Sequence, residues 1–326
     1  MSYSFLRESK LYIVYGGTKY RIYTTSAITF DQTFAEDAYS VKTLHDQSKM
    51  FEGSSVTKAN PASFSFDVPL TEEEHESIML DLACDLVATA EADIETQQLK
   101  SFDIYVQTGS STFKLEGAVI TGATFDFVPT NQFQMRLEGQ GKKLTRAGSE
   151  SFTIPGSGVS GSDYTSDPLP LYHELGSRTR IPLIVYPVIS VDSLDMSSII
   201  SCNLQIQNEI TWTPYTTLND SLEVTDSSNA MFPTTYTLGK RIISGEIRQY
   251  QTDNNVTQFD DFNTSSALTI KAIKVGNASN ATPFFQVDLD PIQYTARVQP
   301  GEVYSQSYDF RSLDNSALSS IITQYS

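Results

Sequence analysis

Residues 111–129 read STFKLEGAVITGATFDFVP, and residues 282–300 read TPFFQVDLDPIQYTARVQP. The stretches share one length, with Phe113 over Phe284, Thr124 over Thr295, and a closing proline in each, Pro129 and Pro300. Beyond each proline the alternation resumes, through Phe133, Met135 and Leu137 in one and Tyr304, Tyr308 and Phe310 in the other. Upstream, Thr43-Leu44-His45-Asp46 is echoed by Thr217-Leu218-Asn219-Asp220. Period-two alternation marks a strand with one buried face. The pattern predicts one β-unit written twice, and a duplicated unit with no catalytic constellation is usually a building block.

Working outward, the first unit spans residues 1–146. It opens with Leu11–Tyr15, a Gly16-Gly17 turn and Tyr20–Tyr23, which read as a hairpin. Strands are expected at Ile28–Gln32 and Tyr39–Leu44, then a long polar loop over residues 45–62, then a strand at Phe64–Val68. Thr71 with Glu74 forms a capping box, and Ile78, Met79, Leu82, Leu86 and Ala90 recur at helical spacing. Strands follow at Phe102–Gln107, Phe113–Ile120, Ala123–Val128 and Phe133–Glu138.

Residues 147–180 mix glycine, serine and proline and read as a linker, long enough to be strapped across a neighbouring surface. The second unit, residues 181–326, repeats the order. Its strands are Ile181–Val191, Cys202–Gln207, Ile210–Leu218, Gly239–Tyr250, Leu268–Val275, Phe284–Leu289, Tyr294–Val298 and Val303–Phe310. A short helix is expected at Val256–Phe262, and a weak closing helix over Asn315–Tyr325.

The 326 residues carry a formal charge of −17. Residues 1–160 hold 21 acidic and 13 basic side chains, and residues 161–326 hold 18 and 9, so the acidity belongs to both units. Such a chain will not grip nucleic acid by neutralising phosphates. Cys84 and Cys202 fall in different units and read as packed, reduced thiols, without zinc-ligand spacing. The opening residues show no secretory pattern, and the longest apolar run, residues 181–189, is too short to span a bilayer. Sequons at Asn255, Asn263, Asn277 and Asn280 therefore read as polar loops.

His45, His75 and His173 lie in a loop, a helix first turn and the linker, and no nucleophile elbow accompanies them. Asp31, Glu36, Asp37 and Asp46 are too dispersed for a calcium loop. Asp288 and Asp290 alternate on a strand, yet Trp212 is the single tryptophan and nothing else resembles a sugar cleft. The sequence offers no catalytic site, cofactor or metal.

The order of elements resembles the tail-tube fold of tailed bacteriophages, which also serves tube initiators, baseplate hubs and related injection tubes. Residues 63–70 entering the Thr71 capping box, then Phe102–Gln107, Phe113–Val128 and Phe133–Glu138, carry the likeness in the first unit. Gly239–Tyr250, Leu268–Val275 and Phe284–Phe310 carry it in the second. The resemblance implies a mainly β chain of two tandem tail-tube-like sandwich or barrel domains, each with a flanking helix. It implies a non-enzymatic structural subunit of the virion tail, assembled in the host cytoplasm with other tail or baseplate proteins and without a membrane. A duplicated subunit would form its ring as a trimer with pseudo-six-fold symmetry, stacked into a tube through which DNA is ejected without specific binding. A tube initiator or baseplate adaptor of the same fold is the alternative, and an unrelated carbohydrate-binding β-sandwich is a third reading. An acidic channel wall would keep phosphate off. Asp103, Glu116, Asp126, Asp288 and Asp290 are the candidate lumen-facing acids.

Overall fold

The computed structural model describes residues 9–43, 46–70, 76–84, 86–87, 98–128, 131–158, 184–191, 194, 196–212, 232–255, 266–274, 283–312 and 322–324. These residues are mainly β, with one helix among them. β1 (Lys10–Tyr15) and β2 (Thr18–Ile22) form the expected hairpin, with Gly16 and Gly17 at φ of 57° and 79°. Two successive positive φ values make the tight turn that glycine best accommodates.

β3 (Thr29–Asp31) pairs with β6 (Ala62–Pro69). Between them β4 (Phe34–Thr43) and β5 (Asp46–Ala59) form an antiparallel ribbon. The loop expected over residues 45–62 is therefore a strand. A two-stranded ribbon paired with itself has no sheet to impose an apolar face, so its sequence carries no alternation.

α1 (Ser77–Cys84) places Met79, Leu80, Leu82 and Ala83 in the core. The Thr71–Glu74 capping box and Ala90 lie outside the described residues, and Leu86 belongs to a strand. That strand, β7 (Leu86–Val87), pairs with β8 (Gln98–Leu99).

β9 (Phe102–Gln107) is followed by β10 (Ser111–Phe127), one continuous strand where two were expected. Thr121-Gly122 is a bulge in its pairing with β11 (Gln134–Gly141), not a turn. β12 (Lys143–Ser149) pairs with the first half of β10, and β13 (Ser157–Gly158) pairs with β2. The start of the expected linker is thus built into the sheet. Ile154 is buried with Tyr12 and Tyr105, and the Phe152 ring stacks on Tyr105 at 6.3 Å.

The second half contributes β14 (Val185–Val191), β15 (Ile199–Trp212), β16 (Tyr236–Tyr250), β17 (Ser266–Lys274), β18 (Phe285–Gln299) and β19 (Ser305–Ser312). Segments expected as pairs are again fused, into β15 and β18. Pro291 interrupts the alternation of β18 where its register shifts, a position at which proline is tolerated. The helix expected at residues 256–262 lies outside the described residues. The closing-helix stretch contains β20 (Ile322–Gln324), an edge strand on β18.

Pairing runs in the same order through both halves. β1, β9, β10, β11, β6 and β3 are successive antiparallel neighbours, as are β14, β17, β18, β19, β16 and β15. Both long strands carry a bulge at like points, over Leu115–Ala118 and Leu289–Ile292. Aligning the bulges places Leu115 on Leu289, three residues from the register implied by Phe113 over Phe284. Allowing for the extra β10 bulge, Ala123 falls on Ala296 and Thr124 on Arg297, not on Thr295.

One packing detail supports this alignment. Gly139 of β11 faces Phe64 of β6, whereas Phe310 of β19 faces Gly245 of β16. The same cross-strand position holds one ring and one glycine in each half, on exchanged strands. A Cβ at Gly139 would lie 2.2 Å from the Phe64 ring and 2.3 Å from the Val119 carbonyl. A Cβ at Gly245 would lie 2.0 Å from the Asn203 carbonyl and 2.6 Å from the Phe310 ring. Gly139→Ala and Gly245→Ala are each expected to cost about 1–3 kcal/mol through overpacking, read as a lowered urea midpoint.

The halves meet edge to edge, where the second half of β10 pairs antiparallel with β15, from Gly122 opposite Gln207 to Phe127 opposite Cys202. One continuous core lies under this junction. Phe125 and Phe127 of β10 stack on Phe133 and on Phe285 of β18. Cys84 and Cys202 are free and buried in it, and burial raises the Cys202 thiol well above its ordinary pKa. Neither is expected to react with a thiol reagent until denaturant is added; labelling of the native chain would contradict the packing.

Candidate functional site: the polar face of the joined sheet

Strand alternation across the junction sends apolar side chains to the core and polar ones to a single open face. One row crosses β6, β11, β10, β15 and β16 as Asp67, Arg136, Thr124, Gln205 and Ser244, and continues to Arg311 on β19. The next row carries Asp126, Asn203, Glu246, Asp309 and Thr295. Thr124, Arg136, Glu138, Gln205, Gln207, Glu209 and Lys240 line a shallow concavity on this face.

Charges here are paired. Arg136 Nε lies 3.2 Å from Asp67 Oδ1, Lys240 Nζ 3.3 Å from Glu209, and Arg297 Nη2 2.8 Å from Asp309. Asn203 donates a short hydrogen bond to Asp126, and Arg248 donates to Gln299 Oε1 at 3.0 Å. These exposed pairs are worth little in stability, roughly 0–1 kcal/mol each. What they set is the character of the surface: hydrated, with guanidinium groups in rows beside the one that holds Asp126, Glu246 and Asp309. The acidity of the whole chain is not concentrated on this face.

The five acids singled out in the sequence do not converge. Asp103 and Glu116 gather about Lys114, whose Nζ lies 3.1 and 3.9 Å from them, and Asp103 also accepts the Gly117 N–H. Burial pulls the Lys114 pKa down, but its hydrogen bond to Asp103 and the surrounding carboxylates outweigh this and hold it above the ordinary value. Asp288 accepts from Thr269 Oγ1 at 2.7 Å and Gln286 Nε2 at 2.6 Å, while Asp290 is exposed at the β18 bulge. Asp126 alone of the five lies on the polar face. The others on that face, Asp67, Glu138, Glu209, Glu246 and Asp309, are found by following strand parity in place of acidity.

The rim of the junction is tied by polar contacts that the sequence does not announce. Arg241 of β16 is buried and donates to Asn208 Oδ1 at 2.7 Å and to the α1 carbonyls of Cys84 and Ala83 at 2.6 and 3.4 Å. Tyr236 donates its hydroxyl to Leu99 O at 2.9 Å, and Trp212 its indole N–H to Gln140. Burial pushes the Tyr236 phenol up to about 12. Its contribution to stability is complete below the free phenol pKa of about 10 and is lost as pH rises through the folded value. Burial also raises Tyr105 and Tyr308, so a phenolate absorbance titration should show late-ionising groups, one fewer of them in Tyr236→Phe.

Among the described residues no three His, Cys, Asp or Glu side chains are grouped to hold a metal, and no helix is long and apolar enough to cross a membrane. Asn255 is buried, with its amide nitrogen donating to Tyr250 O, a poor glycan acceptor; the other sequons and all three histidines lie outside the described residues.

Residues 1–137 match the model of the Bacteriophage Baseplate Tube Protein Family. The match supports a structural phage tail or baseplate component, carried in the virion and assembled with other tail or baseplate proteins. It covers the strands from β1 through the first half of β11, within the first of the two like-ordered halves. Comparison with curated proteins gives no match.

Proposed function

We propose that this chain is a ring-forming subunit of a phage tail or baseplate tube, internally duplicated, with the polar face of the joined sheet lining the channel. The observation that carries the reading is the β10–β15 ladder, which already joins two halves of like pairing order edge to edge. Three chains, each supplying two folds, close the ring with pseudo-six-fold symmetry, and open edges are the natural means of closure. DNA passes during ejection along a wall of amides, hydroxyls and paired charges. Asp126 is the acid, of the five first considered, that this arrangement puts in the channel. With no run of free cations, the wall offers phosphates nothing to release counterions against. The description of the matched family as a baseplate tube favours a short assembly beside the baseplate over a long stack.

Native mass measurement with negative-stain microscopy tests both levels. Rings of three chains are expected, singly or in short stacks. A six-chain ring would keep the tube reading and refute the duplication; a folded monomer at high concentration would overturn the function. Assembled rings are also expected not to retard duplex DNA at about 0.15 M salt, where phosphate attraction reaches roughly 8 Å.

A further inference from the structure

β1 has β9 on one side and β2 on the other, whereas β14, its counterpart in pairing order, has β17 on one side and, among the described residues, no strand on the other. β14 is seven residues long and alternates buried and exposed positions throughout. It presents Tyr186 at 37% and Val188 at 40% exposure. Residues 186–189 line a groove of about 410 Å³ together with Met196, Ser198 and Ile199. A long, alternating edge with exposed apolar side chains is a template for a further strand.

A proline interrupts this edge at a position that blocks addition and spares the existing ladder. In an antiparallel pair the N–H and C=O of one residue point to the same side. The Ala272 carbonyl accepts the Phe284 N–H, so Ala272 turns its backbone groups to β18 and away from Pro187, which lies opposite it on β14. Pro187 is therefore an outward position. Val191 has the same parity, and its carbonyl accepts the Leu194 N–H on that outer side. Bonding to β17 falls to Tyr186, Val188 and Ser190, opposite Ile273, Lys271 and Thr269. The donor that proline lacks is one that only an added strand would use.

We infer that Pro187 guards the outer edge of the second half. It denies an incoming strand a mid-strand donor and so keeps β14 single, in the separate chain as in any ring it forms. Without the guard, β14 of one copy would pair with β14 of another and join particles side by side.

Hydrogen exchange on the full chain reads this edge directly. The Ile189 N–H has the outward parity of Pro187 and is expected to exchange freely, while those of Val188 and Ser190 are protected by β17. A protected Ile189 would mean that a strand already lies there and would overturn the inference. Pro187→Val restores the donor on a residue that suits a strand. At equal concentration it is expected to sediment with a weight-average mass about twice the parent's or more, with the amide of residue 187 protected only in the associated state. Adding Val188→Lys, a charge on the exposed side of the edge, should return the parent's mass. Pro187→Ala, which restores the same donor on a smaller side chain, carries the test if Pro187→Val loses its fold. The parent's mass in both donor-restoring variants, or association with residue 187 still exchanging freely, would refute the guard.

Discussion

Phe285→Ala is expected to lower the stability of the chain by about 3–5 kcal/mol, the range for removing a fully buried aromatic ring. Phe285 has no solvent exposure, and its ring stacks on Phe125 at 5.3 Å and on Phe127 at 6.5 Å. It belongs to β18 and they belong to β10, so the lost contacts hold the halves to one another. Each ring pair adds roughly 0.5–1.5 kcal/mol beyond its area, and the cavity left is too deep for the sheets to collapse into without moving the junction. Urea unfolding of the unassembled chain should show a lower midpoint. If the two halves then melt in separate transitions, the stack is what couples them. A loss below about 1 kcal/mol would mean that β10–β15 pairing holds the halves unaided.

Arg241→Ala should cost about 2–4 kcal/mol, because it leaves the Asn208 carbonyl and two α1 carbonyls buried without this donor. The guanidinium sits at the helix C-terminus, where the backbone dipoles favour a cation. Arg241→Lys keeps the charge but loses the planar fork that reaches three acceptors together, so it should restore less than half of the deficit in thermal melting. Full rescue by lysine would make the charge, not the geometry, the stabilising element.

Strand order was legible wherever one face is buried. Phe64–Val68 and the alternation after Pro129 mark β6 and β11 because the core enforces period two, while Phe102–Gln107 marks β9 as an apolar run buried on both faces. Legibility failed where that constraint is absent. The β4–β5 ribbon pairs with itself, and bulges at Thr121-Gly122 and Asp290-Pro291 use residues that otherwise signal turns. The register read from Phe113 over Phe284 lies three residues from the one that aligns the β10 and β18 bulges, and it matches rings of unlike burial: Phe113 is 39% exposed and Phe284 is 4% exposed. The acidic candidates were chosen by charge, whereas the polar face is defined by parity. Arg241 could not have been found, for its carbonyl partner on α1, Cys84, lies 157 residues upstream in a separate element.

The β10–β15 junction has a kinetic consequence. A ring of six separate folds must gather six bodies, and each association costs translational and rotational freedom. In the three-chain ring proposed above, every second contact is formed inside the chain by the β10–β15 ladder and cannot dissociate. Ring closure would then be a three-body event, and its rate should climb with a far lower power of protein concentration than a six-body ring would show. Such a ring would be completed even where the subunit is sparse.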